Sequence, residues 1–180
     1  MQVIYITGRG GDANQGLGAY LKTLDANRIG LSINSQFLKL SHDEQVGFVS
    51  KLIGDFDSAD TLIVANSYGA YLLVQTMLVL GSLKSQVILI SPVMGRGMLK
   101  SAMFMSRHPS EHKIIEAEER GNVLSGTRVA VHVGEHDDSV NICDISKRLG
   151  IVDVYVVPKA GHDLPREYVQ KIISPHLILK

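Results

Sequence analysis

Six short apolar runs, separated by segments of helical pattern, set the architecture open to this chain. Val3 to Thr7, Gln36 to Leu40, Thr61 to Ala65, Gln86 to Ile90, Arg128 to Val133 and Val152 to Val157 are mostly β-branched and bounded by Gly, Ser, Asp or Pro, as strands are. Between or after them, Leu17 to Leu24, Asp43 to Phe56, Tyr68 to Leu80, Cys143 to Leu149 and Arg166 to Ile173 carry apolar residues at helical spacing. Alternation of this kind predicts right-handed βαβ crossovers. The result is an α/β fold, a three-layer sandwich around a mostly parallel six-stranded sheet. A chain of 180 residues is long enough for one domain, 1–180, with a proper core.

The third run leads into Ala65-Asn66-Ser67-Tyr68-Gly69, which puts Ser67 at a strand-to-helix turn. A tight, strained turn there lifts a hydroxyl off the strand end, and it needs small neighbours because strand and helix nearly touch. Ala65 and Gly69 supply them. A serine at this place also suits a helix N-cap. Serine is a weak nucleophile at neutral pH, so catalysis would need a base within reach and a third group to hold that base. The run ending at Val133 continues Gly134-Glu135-His136-Asp137, and the run ending at Val157 continues Pro158-Lys159-Ala160-Gly161-His162. Each functional residue thus falls just past a strand's C-terminal end, the edge where open parallel sheets build their sites. Asp138 and Asp163 are rivals to Asp137 as the acid.

With these motifs in the order Ser67, Asp137, His162, the chain resembles the α/β-hydrolase superfamily. The resemblance spans nearly the whole chain, with Ala standing where the family's Gly-x-Ser-x-Gly elbow begins. It implies Ser67 as nucleophile, His162 as general base and then acid, and Asp137, which fits the family's Gly-x-x-Asp spacing, as the orienting carboxylate. It implies a truncated fold lacking the family's first two strands, with sheet order 2-1-3-4-5-6. The loop after Thr7 would then lie beside Ser67, and backbone N–H groups of Arg9 or Gly10 and of Tyr68 would form the oxyanion hole. The segment 92–122 falls where the family inserts a cap. Met94, Met98, Met103 and Phe104 in it would line a substrate pocket, or would pack a helix on the sheet. The implied activity is cleavage of an ester, thioester or activated amide of a small molecule, without cofactor. The alternative is a non-catalytic binding or interaction module on the same fold.

Gly8-Arg9-Gly10-Gly11-Asp12-Ala13 also matches the dinucleotide fingerprint Gly-x-Gly-x-x-Ala, with Gly8, Gly10 and Ala13 as a phosphate cradle. That reading needs an acidic residue closing the second strand. The expected strand ends Leu38-Lys39-Leu40-Ser41-His42, and Asp43 arrives late, at a helix start.

Several partner classes are excluded by composition. Lys plus Arg and Asp plus Glu are 18 each, so no global field draws the chain to nucleic acid or an anionic membrane. No apolar stretch approaches the roughly 18 residues of a membrane span, and the N-terminus lacks the basic region of a signal peptide. One cysteine, Cys143, permits no internal disulfide and suits the expected cytoplasmic location. His108 and His112 share the i, i+4 spacing of metal-binding helices, but Pro109 breaks the register, and no metal is expected. His132 belongs in a strand, and His136 flanks the acid.

Overall fold

The computed structural model describes residues 1–24, 27–94, 111–121 and 123–178 of the chain. Strands β1 (Gln2–Ile6), β2 (Asn27–Leu31), β3 (Thr61–Asn66), β4 (Gln86–Ile90), β5 (Arg128–Gly134) and β6 (Asp153–Val157) form one sheet, ordered β2-β1-β3-β4-β5-β6. Every neighbouring pair is parallel. The helices are α1 (Leu17–Lys22), α2 (His42–Phe56), α3 (Tyr68–Leu80), α4 (Glu111–Arg120), α5 (Ser139–Arg148), α6 (Arg166–Ile173) and the short α7 (Pro175–Ile178).

Period-two alternation along the strands divides the core into two layers. Ile4, Ile6, Ile63, Ala65, Val87 and Leu89 face the layer of α2, α3, α4 and α5. Val3, Tyr5, Leu62, Val64, Ile88 and Ile90 face the layer holding Leu21 of α1 and Val169 and Ile173 of α6. Both faces of the central strands are therefore buried, which is why these strands read as continuous apolar runs. Helix α3 is buried from Tyr68 through Met77 and is mostly apolar, with Gln75 and Thr76 as buried polar exceptions. Among the described residues no helix is long and apolar enough to cross a membrane.

The second strand lies elsewhere than the sequence predicts. Gln36 to Leu40 is not a strand; β2 is Asn27–Leu31, an edge strand with no fully buried residue and only β1 beside it. An edge exposed in this way carries no apolar run to reveal it. Gly30 permits a close approach there, since a Cβ would come within 2.7 Å of the Ala13 Cβ. Phe37 looks like a strand residue because it is buried, edge-on to Phe48 with ring centroids 5.7 Å apart. The backbone around it is a 3-10 turn, Phe37–Lys39, entered through the Asn34 side chain, which accepts from the Gln36 and Phe37 N–H groups at 3.0 Å each. Nor does Asp43 cap α2. Ser41 does, in a reciprocal capping box with Glu44.

Candidate active site

Ser67 connects β3 to α3 with φ 52° and ψ −117°, a left-handed conformation that costs a non-glycine residue on the order of 1–3 kcal/mol. Its N–H is tied to the Ile90 carbonyl of β4 at 2.9 Å. Gly69 makes the turn possible, since a Cβ there would lie 2.2 Å from the Thr7 carbonyl oxygen of the neighbouring strand's loop. The turn aims the hydroxyl above the sheet's C-terminal edge.

There His162 Nε2 lies 2.9 Å from Ser67 Oγ, and His162 Nδ1 lies 2.9 Å from Asp137 Oδ2. The network assigns the tautomer: Nδ1–H donates to the carboxylate, leaving Nε2 to accept from the serine hydroxyl. Asp137 is 3% exposed at its side chain and His162 27%, so the carboxylate is sealed beneath a ring open to the cleft. Its hydrogen bond to Asp137 raises the His162 pKa above its ordinary 6.5. Burial opposes this, and the charges of Asp137 and Asp163 add to it. Of the rival acids, Asp138 stands at the N-cap position of α5 without a side-chain capping bond and accepts from Asn141 Nδ2 at 3.0 Å, and Asp163 is exposed on the cleft wall.

The loops that carry Asp137 and His162 are laced together. The Glu135 N–H donates to Val157, the His136 N–H donates to Ala160 at 2.8 Å, and Glu135 Oε2 accepts from the Lys159 N–H at 2.8 Å. Gly134 sits where they touch: a Cβ would fall 2.1 Å from the Gly161 carbonyl oxygen. His136 therefore contributes through its backbone.

The glycine-rich loop after β1 packs against the serine turn, with Gly8 so near that a Cβ would lie 3.3 Å from Ser67 Cβ. Thr7 fixes this loop, its Oγ1 accepting from the Ile33 N–H at 2.9 Å and donating to Gly11 O at 3.3 Å. One expected oxyanion donor is withdrawn, because the Gly10 N–H is already bonded to the Ile33 carbonyl at 2.7 Å. Tyr68 opens α3, where an N–H has no acceptor within the helix. Arg9 lines the cleft with its guanidinium 5.9 Å from the centre of the Tyr68 ring. As for a dinucleotide cradle, the observed second strand ends at Leu31 and is followed by Ser32-Ile33-Asn34, again without a carboxylate for a ribose.

The cleft over Ser67 has a volume of about 470 Å³ and is walled by Tyr5, Leu17, Tyr68 and Val93. A second cavity of about 250 Å³ adjoins it beside His162, lined by Tyr20, Ile90, Leu164 and Val169. Met94, expected in a pocket, is instead 1% exposed in the core beneath α5, its carbonyl accepting from Asn141 and its sulfur from Ser146. It alternates with Val93, which faces the cleft. Met98, Met103 and Phe104 lie outside the described residues. Sequence reasoning missed Thr7, Val93 and Glu135; Val93, next to the expected Met94, was the one a neighbour's apolarity could have signalled. Among the described residues no group of three His, Cys, Asp or Glu converges as a metal site.

Sheet order, helix layers and the serine turn define an α/β-hydrolase fold in compact form. No protein-family model and no curated protein matches the sequence. The fold does match solved structures. The Bacillus subtilis ydeN gene product superposes with TM-score 0.66 at 18% identity, covering 97% of each chain. SOBER1 of Arabidopsis thaliana gives 0.61 at 13% identity over 98% of each. MGS-MChE2, an alpha/beta hydrolase enzyme from a lagoon-sediment metagenome, gives 0.62 at 13% identity, covering 97% of this chain and 89% of the other.

Proposed function

We propose that the protein is a serine hydrolase that cleaves an ester, thioester or activated amide of a small molecule through an acyl-enzyme. The observation that carries this reading is the unbroken hydrogen-bonded series Ser67–His162–Asp137, at 2.9 Å for each link, opening on a cleft. Ser67 Oγ attacks the substrate carbonyl carbon as its proton passes to His162 Nε2. Asp137 stabilises the resulting imidazolium through Nδ1–H and keeps the ring in register. Negative charge develops on the former carbonyl oxygen, to which the Tyr68 N–H and, on the facing loop, the Arg9 N–H are the candidate donors. His162 then returns its proton to the leaving group, and the acyl group stays on Ser67 Oγ. A water deprotonated by Nε2 attacks that acyl carbon and restores the serine.

Several features support the reading. The strained φ at Ser67 exposes a hydroxyl that an ordinary N-cap would turn toward helix N–H groups, and Ser67 makes no such side-chain cap. The cleft's volume falls within the range of small-molecule sites. The likeness in fold to MGS-MChE2, an alpha/beta hydrolase enzyme, adds to the reading without fixing a substrate.

The test is labelling by a fluorophosphonate together with hydrolysis of short-chain nitrophenyl esters. Ser67→Ala should abolish labelling and nearly all turnover, and His162→Ala nearly all turnover. A wild-type hydrolysis rate in Ser67→Ala sinks the mechanism. A correctly folded wild-type protein that neither labels nor turns over any acyl substrate leaves the binding module as the better reading.

A further inference from the structure

Two serines end adjacent strands in left-handed conformations. Ser67 follows β3 with φ 52°, and Ser91 follows β4 with φ 43°. Ser67 is explained by the turn it makes. Ser91 is fully buried, lines neither cavity, and has no part in the chemistry described above. Pro92 after it narrows its conformational choices further. Glycine would meet this backbone at no steric cost, so what serine adds is its hydroxyl.

That hydroxyl donates to the backbone carbonyl of His162 at 2.6 Å. The Ser91 N–H continues the sheet ladder to His132 O at 2.8 Å, which fixes where the side chain starts. The preceding residue, Ile90, accepts the Ser67 N–H through its carbonyl at 2.9 Å. Ile90, the last residue of β4, and Ser91 after it therefore hold the two partners of the 2.9 Å Ser67–His162 hydrogen bond, one by a carbonyl and one by a hydroxyl. On its far side the histidine loop is fastened through Glu135 and His136 to Lys159 and Ala160.

We propose that Ser91 is a positioning residue whose hydroxyl, anchored at the end of β4, sets the distance and alignment of the His162 ring relative to Ser67. This inference rests on the catalytic reading of that pair. Ser91 acts only through His162 and touches neither substrate nor reacting atoms. Without its hydrogen bond the His162 backbone relaxes from the sheet edge, and both ends of the imidazole lose alignment, toward Ser67 at Nε2 and toward Asp137 at Nδ1. Displacements of about 1 Å at such a contact cost on the order of a hundredfold in rate.

The experiment uses the full chain with Ser91→Ala, which keeps the strain and loses the hydroxyl, and Ser91→Gly, which loses both. Melting temperature, kcat and KM on a short-chain nitrophenyl ester, and the NMR titration of the His162 ring are measured for each. The expected result is a fall in kcat of about 10- to 100-fold in both variants with KM little changed, including in Ser91→Gly, whose relieved backbone keeps it folded. The ring titration should move down toward 6.5, because the hydrogen bond to Asp137 is what holds it up, with Asp163 the other carboxylate acting on the ring. A folded variant with wild-type kcat and an unmoved titration overturns the proposal. Should the wild type prove inactive, the catalytic reading falls on its own; the titration still decides the positioning role, and a ring that titrates identically in wild type and both variants overturns it.

Discussion

Asp137 and Asp138 are adjacent carboxylates with nearly equal exposure, 5% and 8%, and opposite engagements. The first is turned to His162 Nδ1; the second starts α5 and bonds Asn141. Asp137→Asn should therefore lower kcat by roughly 10⁴-fold, because an amide can hold the ring in the wrong tautomer, and should move the acid limb of the pH–rate profile downward. In the wild type that limb should lie above pH 6.5, since His162 must be neutral to act as base and its pKa is raised. Asp138→Asn should cost stability at the helix start, of order 1 kcal/mol or less, with the rate and the acid limb kept. Ester kinetics from pH 5 to 9 on both variants decide it, and a larger rate loss from Asp138→Asn would reassign the acid. The three candidate triad residues were legible because each follows its own strand within five residues, in an order that resembles the α/β-hydrolase superfamily. Ser91 was not legible: Ile90-Ser91-Pro92 looks like any strand end, and its partner is a backbone carbonyl 71 residues away that no side-chain pattern encodes.

Loops in contact, more than the strands themselves, decide how the site closes. Strands β5 and β6 are paired through Gly134 and Val157, and just beyond this pairing the acid and base loops press together with no room for a side chain at Gly134. Gly134→Ala must push backbone against backbone, at Gly161 O and Ala160 O, so something has to shift. We expect a loss of about 1–3 kcal/mol in stability, as for other overpacked sites, and at least a tenfold fall in kcat because the shift lands one residue before His162. Gly161→Ala is the matched control: a Cβ there meets nothing within 4 Å, and both quantities should stay near wild type. Urea unfolding and ester kinetics on the pair separate these outcomes; a folded Gly134→Ala protein at full rate would show that this contact does not govern the base. At this scale the sequence was readable wherever burial imposes a period. It misled at β2, whose Asn27, Arg28 and Gly30 pair with β1 without an apolar pattern to show it, and at Phe37, whose apolarity belongs to a turn packed into the core.

Across the whole molecule, histidines outside the site set an acid limit to stability. His132 stands in β5 with Nδ1 2.9 Å from the Tyr168 hydroxyl and its ring stacked on Tyr155 at 4.8 Å. Burial, with the nearby His176 adding, pushes its pKa down from 6.5 to about 4. Burial also lowers His176 and His42, and both ring nitrogens of His42 are buried without a hydrogen-bond partner. For each, the unfolded chain binds protons that the folded one refuses, so stability is complete above about pH 6.5 and is lost as pH falls below it, for His132 through a window that reaches down to about 4. His162 has the opposite sign: its raised pKa contributes stability below 6.5 that is lost as pH rises through the folded value. These terms put the stability maximum near neutrality, with a steep acid side to which His132 alone contributes about 1.4 kcal/mol per pH unit inside its window. His132→Phe keeps a ring against Tyr155 and removes the titration. Its unfolding free energy in urea, measured from pH 7 to 4.5, should fall less steeply with acid than that of the wild type, while His42→Phe should flatten the same limb independently, since the two lie in different layers. An acid slope unchanged by His132→Phe would mean that the ring is protonated in the folded protein at these pH values, and that its stack on Tyr155 holds a cation instead of a neutral imidazole.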